Sequence, residues 1–258
     1  MSNQNLPKVV ILAAGAGNRL SPYTNDRPKS MIELGGHTLI GRQLNTLKSC
    51  GLTDILIVTG YLKEQLHCFG YPTVNNPDWE TTNMVMTLWR AFDSLKDDVI
   101  ISYADIIYQR SVLEVLLADD SDISVVVDKG FRKYWEFRFK NPLDDLESLV
   151  ISQKGFIESI GQKIISIDDV QAQYIGLMRF KNEGLDILKK YMLSISTANR
   201  FETMYMTDLL QELINDGELI KPVIINNCWL EIDSVNDFQA AKKKFEDGSI
   251  MEFFDPEK

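Results

Sequence analysis

The stretch that most restricts the architecture is residues 8–14, where Lys-Val-Val-Ile-Leu-Ala-Ala runs straight into Gly15-Ala16-Gly17. A short β-branched and aliphatic run ended by glycines reads as a strand buried on both faces. Such a strand needs helices on either side of a parallel sheet, and the following sequence supplies them. Residues 38–49 carry Leu39, Ile40, Leu44 and Leu47 at helical spacing, with Gly51 as a stop. Residues 54–58 are strand-like, 61–67 helical, 82–95 a longer helix, 99–102 a third buried strand and 112–118 a helix.

Beyond Ser124 the pattern changes. Strand-like stretches at 124–127, 134–139, 149–152, 156–160 and 174–180 follow one another with few helices between them. They are expected to be antiparallel additions that extend the sheet and cover a ligand, an insertion of roughly residues 124–180. Helical patterns return at 185–193, 206–215 and 235–245. With no internal repeat, low-complexity tract or linker, the 258 residues read as one domain, enough chain for one sizeable core.

Charge and cysteine usage narrow the partners. Lysine and arginine number 27 against 37 acidic residues, a net charge of -10. That balance argues against nucleic acid or an anionic membrane surface as the main partner, since phosphate backbones need a basic footprint. No apolar run is long enough to span a bilayer, and residues 1–8 lack the pattern of a signal peptide. The three cysteines, Cys50, Cys68 and Cys228, show no C-x-x-C spacing and suit a reducing compartment. The expectation is a cytoplasmic protein; nothing in the sequence addresses oligomeric state.

The loop after the first strand reads Leu12-Ala13-Ala14-Gly15-Ala16-Gly17-Asn18-Arg19-Leu20, then Pro22, Thr24 and Arg27-Pro28-Lys29. Small residues directly after a buried strand let backbone N–H groups approach a phosphate chain. A dinucleotide fingerprint would need Gly or Ala where Leu20 stands, and an acidic residue where Thr59-Gly60-Tyr61 ends the second strand. A P-loop would need Lys-Ser/Thr after its last glycine, which is missing. Arg19 can fork across β- and γ-phosphates, and Lys29 can reach an α-phosphate as a point charge. On these residues alone two readings stand, a phosphate cradle and a tight turn with solvated cations.

Two aspartates suit a magnesium ion, which takes one or two carboxylates and fills its shell from phosphates and water. Asp105 follows the strand at 99–102, and Asp233 lies in Trp229-Leu230-Glu231-Ile232-Asp233-Ser234 before a helix. Each could equally cap a turn or a helix.

Together these segments resemble the nucleotidyltransferase superfamily that activates sugar phosphates and related acceptors. Its pattern L-A-A-G-x-G-x-R-L-x-P-x-T, then P-K, is met by Leu12, Ala13, Ala14, Gly15, Gly17, Arg19, Leu20, Pro22, Thr24, Pro28 and Lys29. The resemblance runs nearly the length of the chain. It implies a Rossmann-like, GT-A-like α/β fold with a central mixed, mostly parallel sheet flanked by helices. It also implies that the stretch from Leu12 to Asn18, Ala16 included, holds a triphosphate while Arg19 and Lys29 stabilise charge. Ser102-Tyr103-Ala104-Asp105 and Glu231-Ile232-Asp233-Ser234 look like the two metal-binding segments, with Mg2+ as cofactor. Ala104 stands where sugar nucleotidyltransferases usually carry Gly, which favours the choline- and phosphonate-type branch.

Asn75-Asn76-Pro77, Thr82-Asn83-Met84 and Gly60-Tyr61 resemble the CTP-using members of that branch. Gly60, Tyr61, Asn76, Thr82 and Asn83 are therefore expected at the nucleotide, which would be CTP. Trp135, Glu136, Arg138, Tyr205, Trp229 and Glu231 are the candidates for holding the acceptor. Phosphocholine, aminoethylphosphonate and phosphoglutamine all stand as acceptors, each feeding decoration of a surface glycan, capsule or lipid. The rival readings are a sugar-1-phosphate nucleotidyltransferase and an inactive nucleotide-binding module on the same fold. Attack by an already anionic phosphate oxygen needs no general base, and neither His37 nor His67 sits in a catalytic pattern.

Overall fold

The computed structural model describes residues 6–256. In chain order its first half comprises β1 (Lys8–Ala13), β2 (Glu33–Leu34), β3 (His37–Thr38), α1 (Leu39–Ser49), β4 (Ile55–Thr59), β5 (Thr73–Asn75), α2 (Met84–Trp89), β6 (Asp98–Tyr103), β7 (Ile106–Tyr108) and α3 (Arg110–Ala118). The second half comprises β8 (Ile123–Asp128), α4 (Phe131–Arg138), β9 (Glu147–Ile151), β10 (Ile157–Lys163), β11 (Gln173–Lys181), α5 (Asn182–Ile195), α6 (Met206–Asn215), β12 (Lys221–Ile225), β13 (Trp229–Glu231) and α7 (Val235–Asp247).

Seven strands form one sheet in the order β12-β8-β11-β6-β1-β4-β5. β1 pairs in parallel with β4 and β6, β4 with β5, and β12 with β8, whereas β11 runs antiparallel to both β6 and β8. The sheet is thus mixed and mostly parallel. Its strand sides alternate: Val9 and Ile11 enter one apolar cluster, and Val10 and Leu12 enter another. All but Leu12 are fully buried, each such side chain contributing about 1.5–3 kcal/mol relative to exposure.

Helix ends follow local chemistry. Thr38 accepts from Gly41 N–H at 3.1 Å to start α1, whose Leu39, Ile40, Leu44 and Leu47 face the core. Ser234 opens α7 through a reciprocal pair with Asp237. Because Ser234 does the capping, Asp233 is left free for another task.

Three sequence expectations need correction. The stretch 134–139 is not a strand but the body of α4. Phe131, Tyr134, Trp135 and Arg138 are buried at helical spacing, while Glu136 faces solvent. The aromatic alternation had resembled a strand; packing against the core selects the helix. The helix expected over 82–95 is shortened to α2, followed by a 3-10 turn at Phe92–Ser94. Asn83 stays extended (φ -109, ψ -168) because its backbone N–H is taken by Glu202 O at 2.9 Å. The helical reading of 61–67 becomes a 3-10 helix at Lys63–Phe69, where Leu66 alone is buried.

Candidate active site

The order of the sheet creates the site. From β1 the chain moves outward to β4 and β5, then returns to place β6 on the other side of β1. In open α/β sheets a crevice opens beyond the strand ends where the order reverses. Here the loop after β1 and Asp105 after β6 share that crevice, a cavity of about 350 Å3. Leu12, Ala13, Ala14, Gly15, Gly17 and Asn18 line one side of it.

The loop is built for close approach. Gly17 has φ +68, and a Cβ there would lie 2.9 Å from Lys29 Cβ, so any side chain would displace Lys29. Thr24 Oγ1 donates to Gly17 O at 3.0 Å and fixes the turn. Leu20, the residue that excluded a dinucleotide fingerprint, is fully buried and anchors the loop to the core. Pro28 delivers Lys29 at the head of a 3-10 turn, with its side chain 13% exposed.

Asp105 and Asp233 lie far apart in sequence and meet through a small antiparallel ribbon. β13 pairs with β7, setting Glu231 opposite Ile106, and Ile232 N–H donates to Asp105 O at 3.1 Å. Lys29 Nζ bridges the two carboxylates, 2.5 Å from Asp105 Oδ2 and 2.5 Å from Asp233 Oδ1. Arg19 forms a further ion pair with Asp233. Burial works against the Lys29 ammonium, but Asp105 and Asp233, then Glu231, hold its pKa above the ordinary lysine value. Burial likewise works against the Asp233 carboxylate, yet Lys29 and then Arg19 hold its pKa below the usual value. Both cations expected at the phosphates are thus paired with the acids expected at the metal.

This arrangement suits a magnesium ion. A positive charge already lies between two carboxylates, and Asp105 Oδ1 is buried without a hydrogen-bond partner. Among the described residues there is no group of three or more His, Cys, Asp or Glu that could hold a metal. A hard cation here would have to complete its shell from phosphates and water, as magnesium commonly does.

The other residues expected at the nucleotide divide into walls and supports. Thr82 and Asn83 line the cavity, together with Trp79, which the sequence reading did not single out. Ala16 lines a smaller neighbouring recess with Asn18, Trp79 and Glu80. Gly60 lies against the Trp79 side chain, and the Tyr61 ring tilts against Trp79 at 5.2 Å. Tyr61 also braces the loop, its N–H donating to Ala14 O at 3.0 Å and its hydroxyl to Asn25 O at 2.9 Å. Asn76 is fully buried and donates to Thr82 Oγ1 and Thr87 Oγ1, supporting the wall from behind.

A second cavity of about 170 Å3 adjoins the first, with Met84 and Tyr103 lining both. It opens where β11 bulges between Tyr174 and Met178. Gly176 in that bulge has φ +82, and a Cβ there would meet the Tyr103 ring at 2.6 Å. Trp135, Tyr205, Trp229 and Glu231 line this cavity. Arg138 does not; it is buried behind the wall, paired with Glu231 at 2.7 Å and Asp237 at 3.3 Å. Glu136 lines neither cavity, since the helical form of α4 turns it to solvent.

Two further acids, Asp145 and Glu147, line this cavity and were missed in the sequence. Asp145 accepts from Trp135 Nε1 at 3.2 Å. Burial raises both carboxyl pKa values, and Asp145 adds like charge to Glu147. Neither makes an ion pair among the described residues. Burial also pushes Glu231 up to about 7, with Arg138 opposing and Asp105 and Asp233 reinforcing the shift. The cavity therefore joins aromatic faces to an excess of carboxylates.

Comparison with known proteins agrees with this architecture. Residues 9–169 match the family described as the MobA-like NTP transferase domain. The chain is 38% identical over 251 residues to a CTP:phosphoglutamine cytidylyltransferase of Campylobacter jejuni, covering 91% of this chain and 99% of the relative. It is 34% identical to a 2-aminoethylphosphonate cytidylyltransferase of Lancefieldella rimae, covering 93% of each. In fold it superposes on the CTP:phosphocholine cytidylyltransferase of Streptococcus pneumoniae with a TM-score of 0.71 at 22% identity, covering 92% of this chain and 97% of that one. With the family match spanning more than half its length, and a relative 38% identical along nearly all of its own, this chain belongs to the MobA-like NTP transferase family.

Proposed function

We propose that the protein is a cytidylyltransferase that moves CMP from CTP to a small phosphorylated acceptor carrying an ammonium group, with phosphoglutamine as the leading candidate. The observation that carries this reading is the shared wall between the two cavities. The crevice with the glycine loop, Arg19, Lys29, Asp105 and Asp233 shares Met84 and Tyr103 with the acidic, aromatic second cavity. Phosphoglutamine, phosphocholine and aminoethylphosphonate each join a phosphoryl or phosphonyl end to a cationic ammonium group. A sugar phosphate has no such cation to balance Asp145 and Glu147.

In the reaction, a phosphoryl oxygen of the acceptor attacks the α-phosphorus of CTP. A new P–O bond forms as the bond from the α-phosphorus to the bridging oxygen breaks, and that electron pair leaves with pyrophosphate. The attacking oxygen is already anionic, so no proton need be removed. His37 and His67 are both exposed and line neither cavity, in keeping with this. Lys29 stabilises charge as it develops at the α-phosphate, and Arg19 orients the departing phosphates. Asp105 and Asp233 would hold a magnesium ion, which supplies Lewis-acid neutralisation of the triphosphate. Catalysis is then positioning and electrostatics.

We place this reaction in the cytoplasm, feeding activated groups to a surface glycan or capsule. The test of the transfer itself is pyrophosphate release from four nucleoside triphosphates against phosphoglutamine, phosphocholine, aminoethylphosphonate and several sugar-1-phosphates. Turnover is expected with CTP and an ammonium-bearing acceptor. Turnover confined to a sugar-1-phosphate would overturn the acceptor assignment, and none with any pair would overturn the transfer.

A further inference from the structure

The sequence placed Asn83 at the nucleotide, yet its side chain is engaged elsewhere. It stands at the start of α2 but makes no capping hydrogen bond to that helix. Its Nδ2 instead donates to Thr203 O at 2.6 Å, across 120 residues of sequence. Its backbone N–H donates to Glu202 O at 2.9 Å, and Val85 N–H reaches Met204 O at 3.4 Å. The entry to α2 is thus laced to residues 202–204 by backbone and side chain together.

The two strips so joined serve different cavities. Thr82, Asn83 and Met84 border the first, while Tyr205 and Thr207, directly after the laced segment, border the second. Tyr205 is positioned by its own N–H, which donates to Asp208 Oδ2 at 2.9 Å at the start of α6. The hydrogen bonds at Asn83 and Val85 therefore tie a strip bordering the first cavity to the segment that leads into residues bordering the second.

We propose that Asn83 is a positioning residue that couples the two sites, so that bound nucleotide tightens acceptor binding. The coupling rests on the reading that CTP takes the first cavity and the acceptor the second. Its expected size is about tenfold, within the usual range for linked sites.

The test is titration calorimetry of phosphoglutamine into the full protein, with and without α,β-methylene-CTP, for the wild type and Asn83→Ser. Serine is a good residue at a helix start, so the fold should survive, but it is too short to reach Thr203. The wild type should bind phosphoglutamine about tenfold more tightly with the analogue present. Asn83→Ser should lose that gain even with the analogue at a concentration that saturates the variant, whatever the variant's own affinity for the analogue. Asn83→Ala, checked for an unchanged melting temperature, should behave likewise.

Two results would overturn the proposal: coupling that persists in either variant at saturating analogue, or no coupling in the wild type. A wild type that binds neither ligand rejects cytidylyl transfer and the coupling with it, whereas both binding without coupling rejects the coupling alone.

Discussion

Replacing Lys29 with methionine separates charge from packing, because methionine keeps a flexible stem where Lys29 lies against Gly17. In the wild type the ammonium is 2.5 Å from Asp105 Oδ2 and 2.5 Å from Asp233 Oδ1, with its side chain 13% exposed. At an effective dielectric constant of 20, each contact has a gross Coulomb energy of about 7 kcal/mol before desolvation is charged against it. Removing one partner from such a buried cluster costs a net ~3–5 kcal/mol, because carboxylates are left uncompensated. For a chain of this size that is a loss of roughly 6–20 °C in melting temperature. Lys29→Met should therefore melt well below the wild type in chelator, as followed by calorimetry. Added divalent cation should recover more stability in the variant, since Lys29 no longer competes with it for Asp105 and Asp233. Pyrophosphate release should fall by about a hundredfold or more, as when one preorganised electrostatic group is removed. A variant melting within about 2 °C of the wild type, less than 1 kcal/mol, would refute the energetic reasoning. Near-normal turnover in a folded variant would refute the catalytic reasoning.

Other perturbations read other parts of the site. Asp105→Asn and Asp233→Asn should each lower turnover by about a hundredfold or more and weaken Mn2+ binding measured by electron paramagnetic resonance; unaltered Mn2+ affinity would remove them as ligands. Asp145→Asn and Glu147→Gln should each raise the KM for the acceptor by about 10–100-fold, the range of a hydrogen bond to a charged group, while sparing the KM for CTP. Lowering the pH toward these raised carboxylates should weaken acceptor binding in the wild type; a flat acceptor KM would count against their role. Burial pushes the Glu231 carboxyl up from an ordinary 4.5 to about 7, so the native state holds its proton to higher pH. Stability should then fall as pH rises between those values, by at most about 3 kcal/mol, and Glu231→Gln should flatten that slope. An unchanged slope in denaturant melts would contradict the shift.

The first half of the fold was legible because buried parallel strands leave unbroken aliphatic runs, as in Val9-Val10-Ile11-Leu12. The glycine loop was legible for a related reason: a short, contiguous motif carries both its glycines and its cations. Segments governed by distant contacts were not. Residues 135–140, across the end of α4, alternate aromatic and charged side chains at period two, and only burial of Phe131, Tyr134, Trp135 and Arg138 on one face reveals the helix. Asp145 and Glu147 sit in an acid-rich stretch that reads as a solvated loop, and nothing local marks them as cavity walls. Ser234 caps α7 through its own local chemistry, whereas Asn83 is held by a segment 120 residues away that no local pattern could indicate. The joining of Asp105 to Asp233 depends on the β7–β13 ribbon, strands too short to stand out by composition.

The most direct measurement is mass spectrometry of the products from CTP and phosphoglutamine, with pyrophosphate counted in the same reaction. Transfer at the α-phosphorus predicts one CMP-linked acceptor for every pyrophosphate released, and loss of both in Asp105→Asn. Pyrophosphate appearing with free CMP and no conjugate, or a conjugate carrying more than one phosphate from CTP, would contradict it.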